Sequence, residues 1–374
     1  MKQKMNLAMT MILLGWAALP ALAGTTSNTV ERSEHEWTIT QSENGREFNV
    51  RIKGKPEFTD DYSDLKSLSA GGSVTIEEKT GSVTRKLEIT PAADGKLQRS
   101  YWVNGAAHEL DVEGKQWVSN IILDAVRQSA YDAERRVNQL FERGGAAAAL
   151  EEVTKIKGDY AKSVYLRQLL KDRQLDAATA RRIVHMAAHD ISSAYEKHQV
   201  LVAVAGKYLD DKETLTEFAA AIGTINSDYD RGQALAALVK DRKLTSEQLK
   251  IVAPAVAKIS SDHDKAEALL GLLKSGGTDA IAQPAFFEAV NGIKSAYDRA
   301  RVLSAVLAAK PNNETIKLVV TSATEISADY EKSQVLIAAA KTTNDEDIRK
   351  MLVEAARGIR SDYERGTVLA AATK

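Results

Sequence analysis

The chain has 374 residues, a net charge of −1 and a sequence pI near 6.6, so no overall basic field favours nucleic acid or an anionic membrane. It contains no cysteine, which excludes disulfides, thiolate metal sites and cysteine nucleophiles. Only 6% of residues are aromatic while alanine is abundant, a composition suited to closely packed helices.

Residues 1–23 read as a secretory signal peptide. Lys2 and Lys4 lead a mostly apolar, uncharged run from Leu7 to Leu19, and Pro20 precedes the small-x-small site Ala21-Leu22-Ala23. The apolar run is shorter than the roughly 20 residues a spanning helix needs. The pattern predicts a periplasmic or secreted bacterial protein with no integral span after cleavage.

Residues 24–112 read as a small antiparallel β domain. Trp37–Thr40 and Phe48–Ile52 alternate around Glu43-Asn44-Gly45, and Asn-Gly is a strong hairpin signal. Val74–Ile76 and Leu87–Ile89 flank Thr80-Gly81, and Tyr101–Val103 meets a second Asn104-Gly105 turn. Five or six strands are expected, with Trp37, Ile39, Phe48, Val50, Ile52, Ile76 and Leu87 on the core face. Lys55–Gly72 is the least regular stretch and is assigned at most a short helical turn.

From Val112 the apolar period lengthens to that of a helix. Residues 113–155 read as linking helices: Trp117, Ile121, Ile122, Ala125 and Val126 on one face, then Val137, Leu140 and Phe141 on the next. Gly144-Gly145 is a stop signal, and Ala146–Ala149 begins another helix. Tyr131, in Ser129-Ala130-Tyr131-Asp132, marks a degenerate first repeat.

Residues 156–374 carry an internal repeat. Tyr160, Tyr195, Tyr229, Tyr297, Tyr330 and Tyr363 recur with His263 filling the gap, at steps of 35, 34, 34, 34, 33 and 33 residues. Four positions before the aromatic stands isoleucine (Ile156, Ile191, Ile225, Ile259, Ile293, Ile326, Ile359), and six positions after it leucine (Leu166, Leu201, Leu235, Leu269, Leu303, Leu336, Leu369). Two positions after it is a base: Lys162, Lys197, Arg231, Lys265, Arg299, Lys332 and Arg365.

Ser193, Ser227, Ser261, Ser295 and Ser361 precede acids at Glu196, Asp230, Asp264, Asp298 and Glu364 by three residues, which is the spacing of a reciprocal capping box. Gly158 and Ala328 lack the hydroxyl, and Ser327 is expected to cap one residue early. The acid before the tyrosine lies three residues from the base, as in Asp228 and Arg231, a pair worth a few tenths of a kcal/mol. A second helix follows in each unit, as at Ser246–Ile259 and Asn313–Ile326. The whole predicts an α+β chain: an N-terminal antiparallel sheet followed by an all-α solenoid of about six helix-pair repeats.

The period matches tetratricopeptide repeats, but the Trp-Leu-Gly-Tyr pattern of that family is missing. The repeat as it stands, "SDYDRGQAL" or "SADYEKSQVL", resembles bacterial HEAT-like repeats. It is also similar to repeat segments attached to membrane metallopeptidases of the β-lactam-sensor type, over roughly residues 64–374. No His-Glu-x-x-His occurs here, so the resemblance implies a repeat domain without the peptidase and no settled activity.

Chemistry-bearing patterns are few. His185 and His189 stand four apart, a spacing that could direct two imidazoles to one metal. The glutamate of a metallopeptidase helix is missing and His198 lies beyond a turn, so a solvated face is the reading and no metal or cofactor is assigned. The tyrosines are expected to pack their rings between neighbouring repeats. Gly71-Gly72 and Gly144-Gly145 lack a phosphate-loop context, and "SAGGS" is no nucleophile elbow. No catalytic residue is assigned.

The favoured expectation is an exported, non-catalytic scaffold binding a protein or peptide. The alternative is an enzyme or small-ligand binder with a site where sheet and repeats meet, near Trp102, His108, Trp117 and Tyr131. A purely structural envelope protein is a third class.

Overall fold

A computed structural model describes residues 27–32, 36–43 and 45–373 of the chain. The expected leader, residues 1–23, and Asn44 of the first predicted turn lie outside the described residues. The chain divides into two compact units, residues 1–125 and 126–374.

The first unit holds a seven-stranded antiparallel sheet. Its order is β1 (Ser27–Arg32), β2 (Glu36–Glu43), β3 (Arg46–Lys53), β6 (Ser73–Thr80), β7 (Val83–Pro91), β8 (Leu97–Val103) and β9 (Ala106–His108). The period of two puts Phe48, Val50 and Ile52 of β3, and Val74, Ile76 and Glu78 of β6, on the buried face. Ile39 and Leu87 are buried as the alternation predicts, while Trp37 is only half-buried. Asn104 and Gly105 have φ of 48° and 79°, the left-handed pair a two-residue hairpin demands, and Val103 pairs with Ala106 across it.

Lys55–Gly72 is not helical. β4 (Pro56–Phe58) and β5 (Leu65–Leu68) form a separate two-stranded sheet. The loop between them is held by side chains: Ser63 N–H donates to Asp61 Oδ1 at 3.0 Å and to Thr59 Oγ1 at 3.1 Å. Those bonds occupy a backbone donor that a helical turn would use, and Tyr62 takes a φ of 58° with its ring fully buried against Phe58.

Helix α1 spans Val112–Ser129 and buries Trp117, Val118, Ile121 and Ile122. Glu78, on the sheet's core face, is held by Trp117, whose Nε1–H donates to Oε2 at 2.6 Å, and by Arg46 at 2.5 Å. Arg46 also reaches Asp124 at 3.0 Å. A buried carboxylate is tolerated only with such partners.

The second unit is a run of helices stacked in sequence order. α2 (Ala133–Thr154) is broken at Gly144 and Gly145, where Gly145 has φ 63° and ψ −161°, so helical turns stand on both sides of the predicted stop. Then come α3 (Asp159–Lys171), α4 (Ala177–Asp190), α5 (Ala194–Ala205), α6 (Lys212–Ile222), α7 (Asp228–Val239) and α8 (Ser246–Ala257). α9 (Asp262–Gly276), α10 (Thr278–Ile281), α11 (Pro284–Asn291), α12 (Ala296–Ala308) and α13 (Asn313–Thr324) follow. α14 (Asp329–Thr342), α15 (Glu346–Ala356) and α16 (Asp362–Ala372) complete the series.

The recurring leucines from Leu166 to Leu336 are at most 2% exposed, and the seven isoleucines likewise. Each isoleucine lies just past a second helix, not within it. From Ile225 to Ile359, and at Ile156, its N–H closes a three-residue step, as Ile259 N–H does onto Val256. Among the described residues no helix is long and apolar enough to cross a membrane.

The candidate binding face

The repeated motif separates into a buried side and an exposed side. In α7 the N-cap is Ser227, so Asp228, Tyr229, Asp230 and Arg231 are the first four helical residues. At about 100° per residue, Tyr229 lies about 180° from Leu238, nine positions on, whose side chain is fully buried. The tyrosines therefore face solvent: they are 39–76% exposed from Tyr160 to Tyr363, and the His263 side chain is 68% exposed. This corrects the expectation that the rings pack between repeats. The helix phase assigns the core to positions five, six and nine after the aromatic, not to the aromatic.

The buried side holds what a ring was expected to fill. Asp228 Oδ2 accepts the N–H groups of Ser260 and Ser261, one repeat on, at 3.0 and 2.8 Å. Asp159 does the same for Ser192 and Ser193, Asp262 for Lys294 and Ser295, and Asp329 for Arg360 and Ser361. The acid of the motif is thus a rung between successive units. It satisfies amide groups at the next helix start. Ala194 and Ala296 stand in this position in their units and supply no such acceptor. In the first, irregular unit Gln128 takes a related part, donating to Lys155 O and accepting from Lys157 N–H.

The recurring base is the second link. Arg231 donates to Ile225 O at 2.5 Å and to Lys258 O at 2.6 Å, bridging the ends of two successive second helices. Lys162 reaches Asp190 O, Lys197 reaches Thr224 O, and Arg299 reaches Ile293 O and Asn291 O. Cations at helix C-termini complement the free carbonyls and the dipole. Burial pushes Lys197 and Arg299 below their ordinary values, while Asp159 opposes this at Lys197, and Glu325 and Asp262 oppose it at Arg299. The expected Asp228–Arg231 pair is present at 2.6 Å, but it is the lesser part of what Arg231 does.

The serine caps are confirmed on one side only. Ser193, Ser227, Ser261, Ser295 and Ser361 each accept from the N–H three residues on. The reciprocal carboxylate bond is missing in these helices; the full capping box is that of Thr245 and Gln248 in α8. Asp298 Oδ2 accepts instead from its own cap hydroxyl, Ser295 Oγ, at 2.8 Å, and other acids turn to neighbours. Asp230 lies 2.5 Å from His198 Nδ1, in contact but outside hydrogen-bond alignment, and Glu364 accepts from Ser333. α3 and α14 start at Gly158 and Ala328 without a side-chain cap, so Ser327 does not substitute.

The exposed side carries grooves between the aromatics. One, of about 1060 Å³, runs beneath Tyr229 and His263 over a floor opened by Gly232, Ala236, Ala268 and Gly271. A Cβ on Gly271 would meet Val239 Cγ2 at 3.1 Å, so glycine keeps this floor low. Lys240, Arg242, Lys243 and Lys274 stand along its rim with Glu267 and Asp264. Arg242 is held by Asp210 at 2.5 Å, and Lys243 by Lys274 O at 3.1 Å. A shallower groove of about 420 Å³ lies between Tyr297 and Tyr330. There Arg301 sits 5.5 Å from the Tyr297 ring centre and bonds Glu267 at 2.6 Å.

The other singled-out residues belong to both units. Trp117 is committed to Glu78 and to the Tyr101 ring at 5.5 Å; Trp102 lies under Lys86; and His108 is exposed, all within the first unit. Tyr131 belongs to the second unit and is half-buried. His198 is buried on α5. His185 and His189 remain solvent-facing on α4, and the structure adds a residue that spacing could not supply: Glu217 of α6, whose Oε1 is 2.9 Å from His185 Nδ1.

Searches of protein-family models, curated proteins and solved structures find no match to this chain.

Proposed function

We propose that this is an exported, non-catalytic scaffold that takes an extended protein or peptide segment along the tyrosine-bearing face of its helical array, in the bacterial envelope. Export rests on the basic start, apolar core and cleavage pattern of residues 1–23. The HEAT-like resemblance is consistent with a binding array and adds no activity.

The observation that carries the reading is the exposure of one aromatic per unit, with open grooves beside Tyr229 and His263 and between Tyr297 and Tyr330. Tyrosine offers a large rigid contact surface with a polar end, and it is enriched where proteins bind one another. The rings leave the array's core to other residues, so the packing argument for keeping them is gone. Ring edges and the mixed charges of Lys240, Lys274 and Glu267 suit a polar backbone with intermittent apolar side chains.

A photo-crosslinking amino acid placed at Tyr229, Tyr297 or Tyr330, in cells exporting the full chain, tests this. One partner band shared by these positions, and missing from a probe at exposed Lys250 of α8, is the expected result. Labelling at Lys250 equal to that at the tyrosines would overturn the reading.

A further inference from the structure

We propose that His185, His189 and Glu217 form a binding site for a divalent transition-metal ion of the zinc class, joining two successive repeat units. Residues four apart on a helix share a face, and the two imidazole rings lie 4.3 Å apart between centres. Glu217 comes from α6, the second helix of the next unit, so the set closes across a helix–helix contact. The donor atoms of all three lie within 4.8 Å of one another. A zinc-class ion with bonds of about 2.0–2.1 Å holds its ligands roughly 3.3 Å apart. The two exposed rings and the half-buried carboxylate have side-chain torsions through which to close that difference.

Three further features favour a metal over a solvated helix face. The pair interrupts the repeat: 34 residues on, the step that carries Ile191 to Ile225, the corresponding positions are Ala219 and Gly223. Arg181, one turn before His185, is taken up by Glu213 of α6. And the His185–Glu217 contact at 2.9 Å already holds the two helices in the relation a shared ion needs. Two imidazoles with one carboxylate suit zinc, nickel, copper or ferrous ions, whereas calcium and magnesium prefer all-oxygen sets. Three protein ligands leave at least one coordination position to water.

The test uses the untagged full-length mature chain, stripped with chelator and titrated calorimetrically with zinc chloride or nickel chloride. One site per chain is expected, with zinc raising the melting temperature. H185A and H189A should each weaken binding by at least about tenfold, since even outer-shell changes cost about 10–100-fold. E217Q should weaken it too, and H108A should leave it unchanged. Equal melting temperatures in chelator would show that the variants fold. Zinc should also shift the histidine ring proton signals of His185 and His189 in the unaltered protein, a readout that needs no variant. Binding that survives in the H185A/H189A double variant, or ring signals that zinc does not move, would overturn the site.

Discussion

The two units solve the same problem, the burial of polar groups, in different ways. In the sheet unit Glu78 on the core face is held by Trp117 and Arg46, residues 39 and 32 positions away. In the helical unit a short polar code recurs: an aspartate rung to the next turn and a base across two helix ends. A failure at Glu78 therefore falls on a contact set that no repeat duplicates. In the array it falls on one rung among several, with a local consequence.

The largest expected effect comes at a place where the array behaves like the sheet. Glu152 is buried against Arg127 and Arg136 at 2.7 and 2.6 Å. Burial pushes its carboxyl up, but the two guanidiniums outweigh this and hold it below the ordinary carboxylate value. Breaking such a buried group, as in E152Q, should cost about 3–5 kcal/mol in urea unfolding. Because the folded-state value is lowered, the stabilisation is present above the unfolded-state value and is lost as pH falls through the folded one. The gap between wild type and E152Q should therefore narrow on acidification below the ordinary glutamate range; a constant gap would mean that charge is not its source.

In the sheet unit, W117F removes the donor to a buried carboxylate and should cost about 1.5–3 kcal/mol. Loss of Trp117 should also speed amide exchange along β6. An effect below the cost of D228A would reverse the comparison.

D228A removes one rung and should cost about 1–2 kcal/mol, the two amides being partly wet. Faster hydrogen exchange should be confined to Ser260, Ser261 and their neighbours. The converse change, A296D, supplies a carboxylate where the register lacks one and should add about 0.5–1 kcal/mol. Equal exchange profiles before and after D228A would show that the rung carries no weight.

The smallest effect concerns Asp61, whose hydrogen bonds from Thr59 and Ser63 lower its carboxyl from 3.8 to about 2. The sign is again that of a lowered acid: its contribution is full above the ordinary value and fades as pH falls toward 2. D61N should lose stability at neutral pH, with the difference from wild type vanishing at the acid end.

Much of this was legible in the sequence because the signals are local. Alternation around Asn104-Gly105, the serine three residues before its amide partner, and the leucine six after the aromatic all depend on neighbours within a helical turn or two. What could not be read lies one repeat away. The Asp228 carboxylate finds Ser261 at a separation of 33 residues, and His185 finds Glu217 at 32, distances at which a lone sequence offers no pairing rule. The ring orientation failed for a subtler reason: a recurring aromatic suggests a core position, and only the helix phase fixed by Ser227 shows the opposite. Lys55–Gly72 misled because its backbone is organised by Thr59, Asp61 and Ser63 side chains rather than by an apolar period.

Ala194 and Ala296 have a mechanical consequence. Without a carboxylate there, the junction after the Tyr195 unit and the junction after the Tyr297 unit each lack a rung. Pulled from its ends, the helical unit would not ravel one repeat at a time. It would part at these two seams first, yielding extension steps of unequal length, with the three units from Tyr229 to Tyr297 leaving together as a block.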